Sequence, residues 1–129
     1  MKSLIIFIAS AALLIACTQG NAQDNLTVKE LNAIEFDKDD NKVVLDVRTP
    51  QEYAEGRITG SENLDVLKTD FFTTSIAKMD KEKTYYVICR SGARSQKAVA
   101  QMKEAGFKDV YNISGGMQAW ESADFETEK

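Results

Sequence analysis

Seven consecutive residues, Cys89-Arg90-Ser91-Gly92-Ala93-Arg94-Ser95, put one nucleophile and two guanidinium groups in a single short stretch. The apolar run Tyr85-Tyr86-Val87-Ile88 precedes it and an amphipathic segment ending near Gly106 follows it. That order predicts a strand, a tight loop and a helix starting near Arg94. The first turn of such a helix leaves backbone N–H groups without intrahelical partners, and they converge on whatever stands at the tip of Cys89. An anion is what such a ring favours. A free thiol titrates near about 8.5, and a helix N-terminus with guanidinium groups nearby lowers it, so Cys89 is expected to be largely thiolate. Arg90 and Arg94 have planar forks suited to the oxygens of an incoming oxyanion, and Gly92 relieves the backbone where it curves around the sulfur.

The plainer reading makes Cys89 a small buried hydrophobe, Arg90 a solvated side chain and Arg94 a surface charge. It fits Arg94 poorly, because a helix start disfavours a cation unless an anion is expected there. The chain contains no histidine. That excludes a Ser-His-Asp triad, a Cys-His protease pair and the usual His-rich zinc sites, so the thiol has to be activated without an imidazole. Asp and Glu outnumber Lys and Arg by 20 to 16, which argues against a nucleic-acid partner.

The elements that must position the loop follow from the rest of the chain. Its 129 residues fit one domain. Lys2 and the thirteen-residue run Leu4 to Ala16 read as a signal peptide over residues 1–16, too short for the roughly 18 to 20 residues of a spanning helix. Leu14-Ile15-Ala16-Cys17 looks like a bacterial lipobox, which makes Cys17 the lipidated first residue of the mature chain, against a plain cleaved signal or a retained anchor. Residues 17–24 would be the lipidated cysteine and a flexible tether, and residues 25–125 the domain. The expected location is the bacterial cell envelope, extracytoplasmic in the periplasm and lipid-anchored to the membrane, with the lipid as the sole membrane contact and the domain a monomer. Once Cys17 carries lipid, Cys89 is the remaining thiol, and no intramolecular disulfide can form.

Thr27 with Glu30, and Thr49 with Glu52 and Pro50, have the form of capping boxes for two short helices, the first ending near Phe36 and the second at Gly56. Val43 to Val47 is β-branched and continuous, as a strand buried on both faces would be, and its Asp46 then needs a partner. Arg48 is expected to pair locally, with Glu52 a candidate. Ser61 to Val66 is a weak strand; Asp70 to Met79 is a helix with a stripe of Phe71, Phe72, Ile76 and Met79. Asp109 to Ile113 is the last strand, and Gly115-Gly116 turns into a helix bearing Trp120. Phe107, Trp120 and the Phe71-Phe72 pair are assigned to core or pocket wall. The alternation argues for an α/β fold, an open and mainly parallel sheet flanked by helices on both faces, with its site outside the carboxyl ends of the strands.

The loop resembles the active-site loop of single-domain rhodaneses, whose pattern of Cys, Arg, Ser, Gly, any residue, Arg, Ser it follows. Leu45-Asp46-Val47-Arg48-Thr49-Pro50-Gln51-Glu52-Tyr53, with Gly56, Ile58, Gly60 and Asn63, resembles the first segment of that family. Ile113-Ser114-Gly115-Gly116-Met117-Gln118-Ala119-Trp120 resembles its closing segment. The chain departs from the family at Arg57 and Thr59, where relatives commonly have histidine and proline, which bears on substrate preference. The resemblance implies a rhodanese-like five-stranded parallel sheet and a sulfurtransferase. Cys89 would take sulfane sulfur from a small anionic donor such as thiosulfate and pass it, as a persulfide, to cyanide or another thiophilic acceptor, with no cofactor and no metal required. Arg90, Ser91, Gly92, Ala93, Arg94 and Ser95 would hold the persulfide and the donor. Two rivals stay open: a thiol phosphatase or arsenate reductase, which places five residues between cysteine and arginine where this chain has four, and a non-catalytic binding module of the envelope.

Overall fold

The computed structural model describes residues 24–36 and 40–129. The expected signal peptide, the expected lipidation site Cys17 and almost all of the expected tether lie outside the described residues. The elements are β1 (Asn25–Leu26), α1 (Val28–Asn32), β2 (Lys42–Asp46), α2 (Pro50–Glu55), β3 (Glu62–Asn63), α3 (Thr69–Ala77), β4 (Thr84–Ile88), α4 (Ala93–Glu104), β5 (Asp109–Ile113) and α5 (Gly116–Ser122).

Both capping boxes form. Thr27 caps α1 and Thr49 caps α2, each accepting from the N3 backbone N–H while the N3 glutamate reaches back, with Pro50 opening α2. The five strands pair in parallel in the order β1-β5-β4-β2-β3, so β4, which carries the loop, lies at the centre between β5 and β2. Its residues alternate between the two faces, as the pleat requires. Tyr85 and Val87, followed by Cys89, enter one buried cluster with Phe72 and Ile76 of α3 and Ala98, Val99 and Met102 of α4. Tyr86 and Ile88 enter the other, with Leu31 of α1 and Met117 and Trp120 of α5. Helices therefore cover both faces, and each fully buried Phe or Leu contributes about 1.5–3 kcal/mol.

Three expectations change. The first helix stops at Asn32 rather than near Phe36, although Ile34 and Phe36 still pack against the second cluster. β3 has two residues instead of six: beyond Asn63, Leu64 and Val66 still donate to the Asp46 and Val47 carbonyls and are buried, but the chain no longer pairs as a ladder and enters a turn at Val66. Phe71 is 60% exposed. In α3 the buried pair is Phe72 and Ile76, four residues apart, and a residue one position before Phe72 is rotated about 100° away from that face.

Asp46 finds its partner two residues on. The Arg48 guanidinium donates from Nε and Nη2 to the carboxylate, the shortest contact being 2.7 Å, and also to the Gly56 carbonyl at 2.7 Å. The pair is buried, so losing either member would strand a charge, a loss of about 3–5 kcal/mol. Arg48 thus pairs with Asp46 and not with Glu52, which turns elsewhere.

Candidate active site

β4 ends at Ile88, Cys89 is the next residue, and α4 begins at Ala93, so the loop between them has three residues in which to reverse direction. Gly92 makes this possible at φ +112°, a left-handed conformation that a side chain would strain. The turn brings the Gly92 N–H to 3.1 Å from Cys89 Sγ, and the first turn of α4 places the Ser95 hydroxyl 3.3 Å from the same sulfur. Gly92 and Ser95 are buried with Cys89, which is only 1% exposed; Arg90, Ser91 and Ala93 are exposed, and Arg94 is half-buried.

Burial pushes the Cys89 thiol up. Hydrogen bonds from the Ser95 hydroxyl and from the backbone N–H groups of Ser95, Gly92 and Ser91 outweigh it, and the net direction is down. The sequence leads one to expect guanidinium charge among the main causes; the donors that dominate are instead N–H and O–H groups of the loop. Arg94 explains why. Its fork closes on Glu52 of α2, Nη1 to Oε1 at 2.7 Å and Nη2 to Oε2 at 2.8 Å. Hydrogen bonding to Glu52 pushes the guanidinium up against burial, with the charges of Glu52, Cys89 and Asp65 adding to it. The cation at the helix start thus has a resident carboxylate beside it.

The same carboxylate closes the capping box of α2. Its bonds to Arg94 hold it down at about 2, from an ordinary 4.5, against burial and with help from Thr49. A carboxyl depressed in the folded state stabilises fully above its unfolded value and loses that contribution as pH falls towards its folded one. The pair is 23% and 25% exposed, so solvent screening leaves about 1 kcal/mol. Denaturant melts from about pH 5 to about pH 2 should show wild type losing this increment while Glu52→Gln, which keeps a capping side chain, does not. Parallel pH curves for the two proteins would mean the pair adds nothing to stability.

The loop is backed from behind by the start of α5. The Met117 N–H donates to the Cys89 carbonyl at 2.8 Å and the Gln118 N–H to the Arg90 carbonyl at 3.0 Å. Gly116 lies so close that a Cβ there would stand 2.5 Å from the Cys89 oxygen and 2.6 Å from the Arg90 carbonyl. Ser95 Oγ is also hydrogen-bonded to Asn112 Oδ1 of β5 and, at 3.0 Å, to the Gly92 carbonyl; Asn112 Nδ2 donates to Asn25 Oδ1 of β1 at 2.9 Å. Sequence reasoning missed Asn112 and Asn25 and gave Glu52 the wrong partner. The motif segments around Glu52 and Gly116 were the available signals for those two; nothing in sequence marked the asparagines. The Arg57 guanidinium lies 4.7 Å from the Tyr53 ring centroid and 3.4 Å from the Glu128 carboxylate. Among the described residues no three His, Cys, Asp or Glu side chains converge as a metal site would require.

The profile of the rhodanese-like domain family matches residues 27–123. A thiosulfate sulfurtransferase GlpE of Pseudomonas putida is 39% identical over 88 residues, which are 68% of this chain and 77% of that protein. Among solved structures, a rhodanese-related protein from Thermoplasma volcanium superposes with a TM-score of 0.66 at 27% identity, covering 81% of this chain and 96% of that one. A protein from Rhodopseudomonas palustris described as a possible tyrosine phosphatase superposes with a TM-score of 0.70 at 26% identity, covering 81% of this chain and 84% of the other. With a parallel sheet that presents its cysteine loop at the end of the central strand, and with relatives that support sulfur transfer in general, the chain belongs to the rhodanese-like domain family.

Proposed function

We propose that the protein is a thiosulfate-type sulfurtransferase working through a persulfide on Cys89. The observation that carries this reading is the sulfur itself: buried, at the carboxyl end of the central strand, and provided with an N–H and an O–H donor that favour its anion. In the first half-reaction the thiolate attacks the outer sulfur of thiosulfate. A new S–S bond forms, the old one breaks, and sulfite leaves with the electron pair. In the second, cyanide or a thiolate acceptor attacks that outer sulfur, and Cys89 leaves as thiolate.

Each remaining loop residue has a part. Exposed Arg90 receives the donor's sulfonate oxygens, and Arg94, held in place by Glu52, contributes a fixed guanidinium near the sulfur. The N–H groups of Ser91, Gly92, Ala93 and Ser95 line the place where the persulfide's terminal charge would sit. The four-residue spacing between Cys89 and Arg94 makes a ring suited to one sulfur atom more than to a tetrahedral phosphate. With Cys17 lipidated, the reaction would take place at the surface of the bacterial envelope.

The test is the intact mass of the domain, without signal and lipid, after thiosulfate and then after cyanide, with no reductant present. The expected result is a gain of one sulfur atom that cyanide removes as thiocyanate. An unchanged mass, with phosphatase or arsenate reductase turnover by the same sample, would replace this reading with the first rival; an unchanged mass and no turnover would leave a binding module.

A further inference from the structure

The positive charge written into the loop is not all open to a substrate. Arg94 presents both outer amines to Glu52, Nη1 to Oε1 at 2.7 Å and Nη2 to Oε2 at 2.8 Å, so the planar fork that could clasp an oxyanion is already closed on a carboxylate. Asp65, buried two residues after β3, bears on the same guanidinium, and so does Cys89 itself, which puts the pair within electrostatic reach of the sulfur. Arg48, just beyond the end of β2, is closed on Asp46. Arg90 is exposed and, among the described residues, has no carboxylate partner. Of the two guanidinium groups on the loop, one is therefore free.

Sulfur transfer from thiosulfate gathers three negative charges, one on the Cys89 thiolate and two on the donor. Free guanidinium groups would offset their repulsion, and an Arg94 that is neutralised by Glu52 offsets less of it. A thiosulfonate, RSO2S−, brings one charge fewer. The thiolate forms the same S–S bond with its outer sulfur, the donor's own S–S bond breaks, and a sulfinate, RSO2−, leaves with the electron pair in place of sulfite. The bonds made and broken at sulfur are the same; the charge carried into the site differs.

We propose that Glu52 is a specificity-determining residue, whose carboxylate cancels the charge of Arg94 and fits the site to sulfane donors with a single negative charge, organic thiosulfonates among them, over dianionic thiosulfate. The inference rests on the sulfur-transfer reading and names a donor class for it. Glu52 acts through Arg94, so its effect has to be told apart from that of a strut that merely holds the guanidinium in place. A strut affects every donor alike, whereas a charge counts in proportion to the charge on the donor.

The test compares Glu52→Gln with wild type on thiosulfate and on methanethiosulfonate, two donors that differ by one charge, with cyanide as acceptor. The substitution keeps an oxygen for the capping box and for Arg94 Nη1 while it removes the charge. The ratio of kcat/KM for thiosulfate to that for methanethiosulfonate should rise about threefold in the variant, carried by KM. Any shift of the loop or of the thiol midpoint multiplies both donors equally and leaves this ratio alone. A second pair of reagents reads the same field without turnover: alkylation of Cys89 by anionic iodoacetate, relative to neutral iodoacetamide, should also rise about threefold. A change of less than about 1.5-fold in either ratio, in a protein that still gains sulfur from both donors, would overturn the proposal and leave sulfur transfer standing. No mass gain by wild type from either donor would instead remove the sulfur-transfer reading, and this inference with it.

Discussion

Cys89→Ala leaves a folded domain with no sulfur transfer, a loss of at least about a thousandfold in kcat/KM, and no mass gain after thiosulfate. The reasoning is chemical before it is structural. The proposed cycle has a covalent intermediate on one atom, and the described residues hold no second thiol, since the chain's other cysteine is Cys17. The fold should tolerate the change, because Cys89 is a small side chain in a cluster whose bulk comes from Leu45, Phe72, Val87 and Met102. Losing one buried sulfur costs about 1 kcal/mol. Residual turnover in this variant at more than a few per cent of wild type would remove the persulfide from the mechanism.

Gly116→Ala should cost nearly as much activity without touching the chemistry. Its new methyl group would meet backbone rather than a flexible side chain, the Cys89 oxygen at 2.5 Å and the Arg90 carbonyl at 2.6 Å, and Gly116 sits at φ +56°. A left-handed alanine costs roughly 1–2 kcal/mol, and forcing apart well-packed atoms adds about 1–3 kcal/mol. Together these amount to about 2–5 kcal/mol, or of order 10 °C or more in melting temperature for a domain of this size. The loop is the part that must yield, because the Met117 and Gln118 N–H groups bind its carbonyls from the same side. Alkylation of Cys89 should slow with turnover as the sulfur leaves its donors. A variant melting within 2 °C of wild type, a small fraction of that shift, with normal turnover, would show that α5 and the loop can separate freely.

What could be read from sequence was what is written locally. β2, β4 and β5 announce themselves as short β-branched or aromatic runs, and both capping boxes lie within four residues of chain. The loop was legible because cysteine, glycine and helix start are contiguous. Arg48 had two carboxylates within a turn or so of chain, and spacing alone could not choose between Asp46 and Glu52. The competitor that decided it, Arg94, is 42 residues from Glu52 and reaches it only after the sheet has formed. Asn112 and Asn25 are 87 residues apart and meet because β1 and β5 pair, which no periodicity reveals. Phe71 beside Phe72 looks like a core pair in sequence, and only the phase of α3 tells which ring faces water.

The strand order carries a consequence in time. Among the described residues no strand pairs with its hairpin neighbour in antiparallel fashion; every ladder there is parallel, and the pair β1 and β5 joins the first strand to the last. Sheets of this kind close loops of chain before any contact repays them, and they fold slowly for their size. Cys89 therefore passes through synthesis and early collapse as an unremarkable thiol, unshielded and mostly protonated. Its thiolate-favouring donors assemble only when the turn at Gly92, the first turn of α4 and the start of α5 have closed around it. Reactivity in this protein is a late property of folding, and a chain that halts short of the native state carries a cysteine that can be oxidised but cannot yet transfer sulfur.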